Sequence, residues 1–586
     1  MAADKEREEG IIAAADVPIG SDNGLEKPGV SSKARDFDPA ISHHNSSQQA
    51  SQGDAVNIYP EGWRLYILIF GLCLSLLLST VETTIVSTSL VSITNALEGF
   101  GRRDWVVTSY LLTYAGFLTI FAKFCAVFGR KFMLLFALLA FLVFSVLCGI
   151  STNIIELIVF RAFQGFGGSG IYSCVTVITP QILPPKKYAK YMAVISSVFA
   201  LASILGPVLG GAINDHSSWI WVFLLNAPVA PIPMLLILFF LPTEPSRAPV
   251  QGKGWKKKLS EIIPPPGAWR KIDFLGAILL LTASMLVVFA FEEAGTQYPW
   301  KSPAIIVTLI LSAVCWATFI PWEVWIDKPK FVQEPIFPMR LLRDRRIAGM
   351  MLNAFFTGFP FMAVIVNLPQ RFQAVNGCTP VQAGLYLLPL LLVSPFANGI
   401  SAALVSKLKT PPFYILLSGS VLQLIGVALA GMPSAASLDL NRSIFGYEVL
   451  MGLGFGFGLS TLLVMATMVF PKDDLGVGMG ALTQIRVLGG TISLAICATV
   501  LNNHVKKRLQ EILTSAQIQA ISESFTVIQD LPQQTQEDVR AAFAEGYTKQ
   551  LQIMIAFSGL VFLCTLLTWQ PPQKQVREIE QFLASK

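Results

Sequence analysis

From Trp63 onward the chain alternates between apolar runs about twenty residues long and shorter polar connections. A run of about twenty apolar residues is enough to cross a ~30 Å hydrocarbon layer as helix. By length and hydropathy the pattern predicts roughly fourteen spans. They fall near 65–90, 105–126, 132–150, 154–178, 190–213, 219–241 and 273–292, then 303–323, 347–369, 381–405, 413–432, 443–470, 475–501 and 551–569. An even number puts both termini on one side of a membrane. Residues 1–62 break the pattern. They are polar, rich in Ser, Asp, Glu, Gly and Gln, and lack an apolar signal-peptide core. They are expected to form a disordered tail, with the first span acting as the insertion signal.

Composition agrees with the pattern. Hydrophobic residues make up 53% of the chain and charged residues 14%, with mean hydropathy +0.58. Soluble domains carry about 25% charged residues, so a soluble globular fold is excluded and an all-α polytopic membrane protein is expected. If the N-terminus lies inside, the inner short loops hold basic residues such as Arg130, Lys131, Lys187, Arg270, Lys271, Arg345 and Lys407. The inner-to-outer ratio is then roughly four to one, as the positive-inside rule demands. The net charge of +6 is accounted for by those loops, and no nucleic-acid partner is implied. Both termini are expected on the cytoplasmic face.

Helix count and linker placement predict a six-helix half at 63–241, a basic, proline-rich cytoplasmic linker at 242–272, an inserted helix pair with its following loop at 273–346, and a second six-helix half at 347–570. The last half carries a long polar outer segment at 502–550, and 571–586 form a cytoplasmic tail. The eight cysteines show no close sequence pair and no metal-ligand spacing, and read as small core hydrophobes. None of the four histidines is expected inside a span, so a proton-handling group in the membrane is expected to be a carboxylate. No metal or cofactor is expected. Neither an Asp-rich nor a His-rich cluster is present, which argues against a membrane-embedded enzyme.

Four stretches go beyond hydropathy. Glu82, within Ser79–Val86, lies in the outer half of the first span, where a carboxylate costs several kcal/mol unless paired, wet or neutral. Arg161, followed by Gln164 and Gly165, lies at a broadly similar depth on the oppositely running fourth span, so the two charges can meet. Gly129, Arg130 and Lys131 form a tight basic turn between spans two and three. Gly206, Pro207, Gly210 and Gly211 give the fifth span a proline and a smooth face for close helix packing. Glu448 and Arg486 are charges inside later spans that either line a cavity or are buried structurally. Glu292, Glu293, Glu323 and Arg371 fall at span ends, where interfacial solvation is expected. The series Gly452, Gly454, Gly456 and Gly458 reads as helix packing, not a nucleotide loop. Asn441-Arg442-Ser443 is an outer glycosylation sequon very close to a span.

In this order, from about Trp63 to Trp569, these stretches resemble the major facilitator superfamily. The likeness is to its fourteen-span drug:proton antiporter branch, and most of all to fungal toxin and multidrug efflux pumps. Glu82-Thr83-Thr84-Ile85-Val86 is similar to the first-helix motif, which usually has Asp at the first position. Arg161, Gln164 and Gly165 match the fourth-helix motif, and Gly206-Pro207-Val208-Leu209-Gly210-Gly211 the antiporter motif of the fifth. The loop motif departs: Ala122 stands where the family has Gly, and Ala126 where it has an Asp thought to join a charged latch on the inner side.

The resemblance implies export of small, largely apolar organic compounds by proton antiport from the plasma membrane. Glu82 and Arg161 would be the coupling pair, with Gln164, Glu448 and Arg486 at the substrate cavity. The partners would be substrate, protons and lipid, and the chain would act as a monomer. It also implies that the Gly206–Gly211 face lies where the halves slide or seal, and that Arg130 needs another acid or gates more loosely. A vacuolar, siderophore or basic amino acid transporter of the same fold is the alternative, as is a non-transporting sensor.

Overall fold

The computed structural model describes residues 62–97, 103–183, 187–242, 267–294, 298–328, 330–378, 380–432, 438, 440–471, 474–510, 513–514, 517 and 531–571. The expected tails and most of the 242–272 linker lie outside the described residues.

Thirteen helices among the described residues are long and apolar enough to cross a membrane, and a further long helix of 29 residues joins them. In chain order they are α1 (Trp63–Ala96), α2 (Arg103–Phe128), α3 (Arg130–Gly149), α4 (Ile154–Gln181), α5 (Tyr188–His216), α6 (Ile220–Phe240), α7 (Phe274–Glu293) and α8 (Pro303–Ile326). Then come α9 (Arg345–Ala374), α10 (Gln382–Ser406), α11 (Pro412–Ala430), α12 (Ser443–Val469), α13 (Leu475–Leu509) and α14 (Gln533–Leu567). The 29-residue helix is α5.

Local chemistry sets where these helices begin and break. Asn153, Asp273, Ser302 and Asp344 each accept a hydrogen bond from a first-turn backbone N–H, capping α4, α7, α8 and α9. Gly129, at φ 97°, is the single residue between α2 and α3, and only glycine adopts that conformation without strain. Proline lacks an N–H, and α6 is accordingly broken into Ile220–Leu224, Asn226–Val229 and Pro231–Phe240.

Helices α1–α6 pack mainly on one another, through α2 on α4, α3 on α4 and α1 on α5. Helices α9–α14 do the same, through α11 on α12, α10 on α12, α9 on α13 and α9 on α14. Helices α7 and α8 pair with each other, and α7 lies against both α2 and α13. It therefore sits across the seam between the two bundles. The bundles also meet directly, where α13 crosses α2 and α4 and where α5 meets α10 and α12.

One end of the array carries Arg130, Lys131, Lys271, Arg340 and Lys407 and is called the basic end below. There the seam is tight. A Cβ added at Gly480 of α13 would lie 2.7 Å from Ala122 Cβ, and one at Gly476 would lie 3.1 Å from Val177. Thr119 donates its backbone N–H to Gln484 Oε1 at 3.1 Å, and Gln484 Nε2 donates to Ser284 of α7 at 3.0 Å.

Two features differ from the sequence expectation. The polar segment 502–550 is helical over 502–509 and 533–550, because α13 and α14 are each 35 residues long, about 52 Å at 1.5 Å per residue. Val505, Leu509, Val539, Phe543 and Tyr547 build a small core there with Ala374 and Val375. Apolar residues spaced every four positions form a stripe that an averaged hydropathy hides. His504 consequently lies inside α13, bonded to Glu545 at 2.9 Å. Second, the span-end charges Glu293, Glu323 and Arg371 are 2%, 0% and 6% exposed, not solvated. Adjoining segments cover them; Glu323, for example, accepts the backbone N–H groups of Ile336 and Phe337, each at 3.3 Å.

The glycine series of α12 is packing for three of its four members. A Cβ at Gly452 would lie 2.7 Å from Leu390 O, those at Gly454 and Gly456 would overlap the Gln423 and Ser394 backbones, and Gly458 faces open space. Gly456→Ala is therefore expected to destabilise the protein by about 1–3 kcal/mol through overpacking. Gly458→Ala should leave stability unchanged or raise it by up to about 1 kcal/mol through helix propensity. Thermal unfolding of the two variants in detergent measures the contrast.

Candidate functional site

Glu82 and Arg161 are 1% and 0% exposed, so both must be satisfied by protein groups. They meet directly: Arg161 Nη1 donates to Glu82 Oε1 at 2.8 Å. The same nitrogen donates to Gln164 Oε1 at 2.8 Å, and Arg161 Nε donates to the Val106 carbonyl at 3.0 Å. Glu82 Oε2 accepts from Asn226 Nδ2 at 2.9 Å. Gln164 Nε2 donates to Ser145 Oγ at 2.7 Å, and Asn226 Nδ2 also reaches that hydroxyl at 3.3 Å. The guanidinium stacks 4.4 Å from the Tyr110 ring centroid, a cation–π contact, and that ring is fixed by its hydroxyl donating to Ser79 O at 2.9 Å. Five helices, α1, α2, α3, α4 and α6, thus converge on one ion pair.

Small residues make that convergence possible. A Cβ at Gly165 would overlap Tyr110 O, and one at Gly168 would meet the Tyr110 hydroxyl, so α4 approaches α2 only because both positions are glycine. Removing two charges from water costs several kcal/mol per ion, and only dense hydrogen bonding offsets it. Here every Glu82 oxygen and two of the three guanidinium nitrogens have partners. Arg161 Nη2 alone lacks an acceptor. Asn226 carries both a donor and an acceptor, so its amide can serve an ionised or a protonated Glu82 by rotating.

The other candidate residues divide around this centre. Gly206 packs on the same turn: a Cβ there would overlap Thr84 Oγ1, and Thr84 Oγ1 donates to Ala202 O at 3.3 Å. The glycine therefore faces α1 within its own bundle and not the seam. Pro207, Gly210 and Gly211 lie in the same unbroken helix α5, and the side-chain placement of Pro207 and Gly211 is outside the described residues. Gln164 is fully buried in the ion-pair shell and not at a cavity wall. Arg486 of α13 does reach across the seam, its Nη2 donating to the Tyr172 hydroxyl at 3.5 Å.

Glu448 is fully buried in α12, with no hydrogen-bond partner to either carboxyl oxygen among the described residues. Gly129 forms the α2–α3 turn beside the half-buried Arg130. Asn441 is exposed just before α12, at the end opposite the basic one. Cys125 and Cys174, far apart in sequence, bring their Sγ atoms to 2.6 Å.

Sequence reasoning missed Asn226 and Ser145, which complete the ion-pair shell. Their only signal was a polar side chain within an apolar run. It also missed Lys123 and Glu334, which pair at 2.8 Å at the basic end. Partial burial would raise the Glu334 carboxyl, but Lys123 and Lys271 outweigh it and hold the group below the usual carboxylate range. A depressed value means the pairing is present at neutral pH and is lost only as pH falls through that lowered value.

Two bundles of apolar helices joined by a seam, with a buried ion pair inside the first, define a multi-pass membrane transporter. The chain belongs to the Major Facilitator Superfamily, whose sequence profile it matches over residues 72–494, a family of transporters and not of enzymes. It is 48% identical over 519 residues to the MFS-type transporter FPY5 of Fusarium mangiferae, covering 88% of this chain and 86% of that one. It is 28% identical over 537 residues to the MFS-type efflux pump MFS1 of Trichophyton rubrum (91% and 96% covered), and 28% identical over 526 residues to the efflux pump dotC of Dothistroma septosporum (88% and 86% covered). Among solved structures, the human organic anion transporter MFSD10 aligns with a TM-score of 0.55 at 14% identity, over 87% of this chain and all of that one. That likeness shows the fold.

Breaking one side of the buried pair strands the other charge. Arg161→Met is expected to lower stability by about 3–5 kcal/mol. The double variant Glu82→Gln with Arg161→Met should recover part of that loss. Thermal unfolding of the purified variants tests the order.

Proposed function

We propose that this transporter exports small, largely apolar organic molecules in exchange for protons, and that Glu82 carries the proton. The observation that carries the reading is the fully buried Glu82–Arg161 pair, held within the first bundle by Asn226 and Gln164. An ionisable group inside a spanning helix marks an ion pathway. The pair has two natural states, with Glu82 ionised on Arg161 or protonated and released from it. A ligand shifts a conformational equilibrium only through differential affinity, so antiport requires that proton and substrate favour opposite states. The packing of Gly206 on Thr84, two residues from Glu82, links the exporter-type motif of α5 to that exchange. Two relatives described as efflux pumps support the outward direction.

In this reading the six-helix bundles rock about a central cavity to which Arg486 contributes, with the basic end cytoplasmic and the plasma membrane as the site of action. The tight α2–α13 crossing then makes this the state with the cytoplasmic side closed. In proteoliposomes with an imposed pH gradient, Glu82→Gln, whose amide oxygen can still accept from Arg161, is expected to cut gradient-driven efflux per reconstituted folded protein at least tenfold. Undiminished coupled transport by that variant would remove Glu82 from the mechanism.

A further inference from the structure

We propose that residues 330–344, which lead into α9, are the latch that holds the basic end shut. In this latch Glu334 supplies to α2 the acid that is missing at Ala126. The inference rests on the alternating-access reading above and adds to it a working part and its residues.

Lys123 lies five residues from the end of α2 and is buried, so its ammonium needs a partner. Its partner comes from 211 residues away: Lys123 Nζ donates to Glu334 Oε2 at 2.8 Å. Glu334 is itself anchored to the start of the inserted pair. Its backbone N–H donates to Lys271 O at 2.9 Å, and its other carboxylate oxygen lies 3.5 Å from Lys271 Nζ. Glu323 of α8 holds the next residues by accepting the N–H groups of Ile336 and Phe337. Asp273, which caps α7, accepts from Trp322 Nε1 of α8 at 2.8 Å and ties the pair together.

The same segment then reaches the second bundle. Arg340 pairs with Asp327 at the end of α8 and, at 2.9 Å, with Asp474, the residue that precedes α13. One short stretch anchored to α7 and α8 therefore grips α2 through Glu334 and the root of α13 through Arg340. Those are the two helices whose contact at Ala122 and Gly480 closes the seam. Opening this end requires α2 and α13 to separate, and separation breaks the Lys123–Glu334 pair or the Arg340–Asp474 pair. The inserted helix pair thereby gains a task, as a fixed post from which the latch is hung.

The test uses the full-length protein in nanodiscs and reads backbone hydrogen exchange over 119–128 and 475–484, which does not depend on transport. Glu334→Lys places a third cation beside Lys123 and Lys271 and is expected to speed exchange in both segments about tenfold. Glu334→Gln, which removes only the charge, should give a smaller increase, about threefold. The swap Lys123→Glu with Glu334→Lys should return exchange to within about twofold of the parent. Unchanged exchange in Glu334→Lys, or a swap no better protected than that single variant, would overturn the latch. If Glu334→Lys does not purify as a monodisperse protein, the Glu334→Gln comparison and the swap decide the matter. Failure here leaves the Glu82 reading standing, and coupled transport surviving Glu82→Gln leaves the latch standing.

Discussion

The first bundle is organised by the need to keep Arg161 charged in an environment without water. A guanidinium cannot shed its charge in a protein, so the fold has to bring acceptors to it. Glu82 comes from α1, a backbone carbonyl from α2 and a side-chain carbonyl from its own helix, while Tyr110 offers its ring face. Each acceptor sets a distance between helices, and the glycines at 165, 168 and 206 are what allow those distances. Small residues in α4 and α5 and polar residues in α1, α3 and α6 are thus two halves of one requirement.

The second bundle solves a different problem. Its α12 lies on α10 and α11 through Gly452, Gly454 and Gly456, where close backbone approach replaces any ion pair. Glu448 is a buried carboxyl of α12, and among the described residues no cation is placed against it comparable to Arg161. Both halves use close backbone approach, but in the first it closes around a buried ion pair and at the α10–α12 contact of the second it does not. Arg486 and Tyr172 stand where the two schemes meet.

Much of this was legible in the sequence because charge in an apolar run is conspicuous. Glu82 and Arg161 could be matched by depth alone, and the helical spans followed from run length. Asn226 was not legible, since an uncharged amide among the prolines of α6 carries no comparable signal. The helical hairpin formed by the far ends of α13 and α14 was hidden because its apolar residues are spread among charges such as Arg508 and Glu545. The partner of Lys123 was out of reach for a simpler reason. Pairing over 211 residues depends on where a loop comes to rest, and no local pattern encodes that.

The turn at Gly129 has a mechanical consequence. A connection of one residue stores no slack, so α2 cannot shift along its axis or tilt without pulling the start of α3 with it. Helix α3 is locked to α4 through the Gly167 contact with the Phe141 backbone, and α4 to α2 through Gly165. The three helices form a closed triangle with no loose hinge at this corner. A force applied to the end of α2 is delivered to Arg161 as a displacement of the whole wedge, and not absorbed as a local bend.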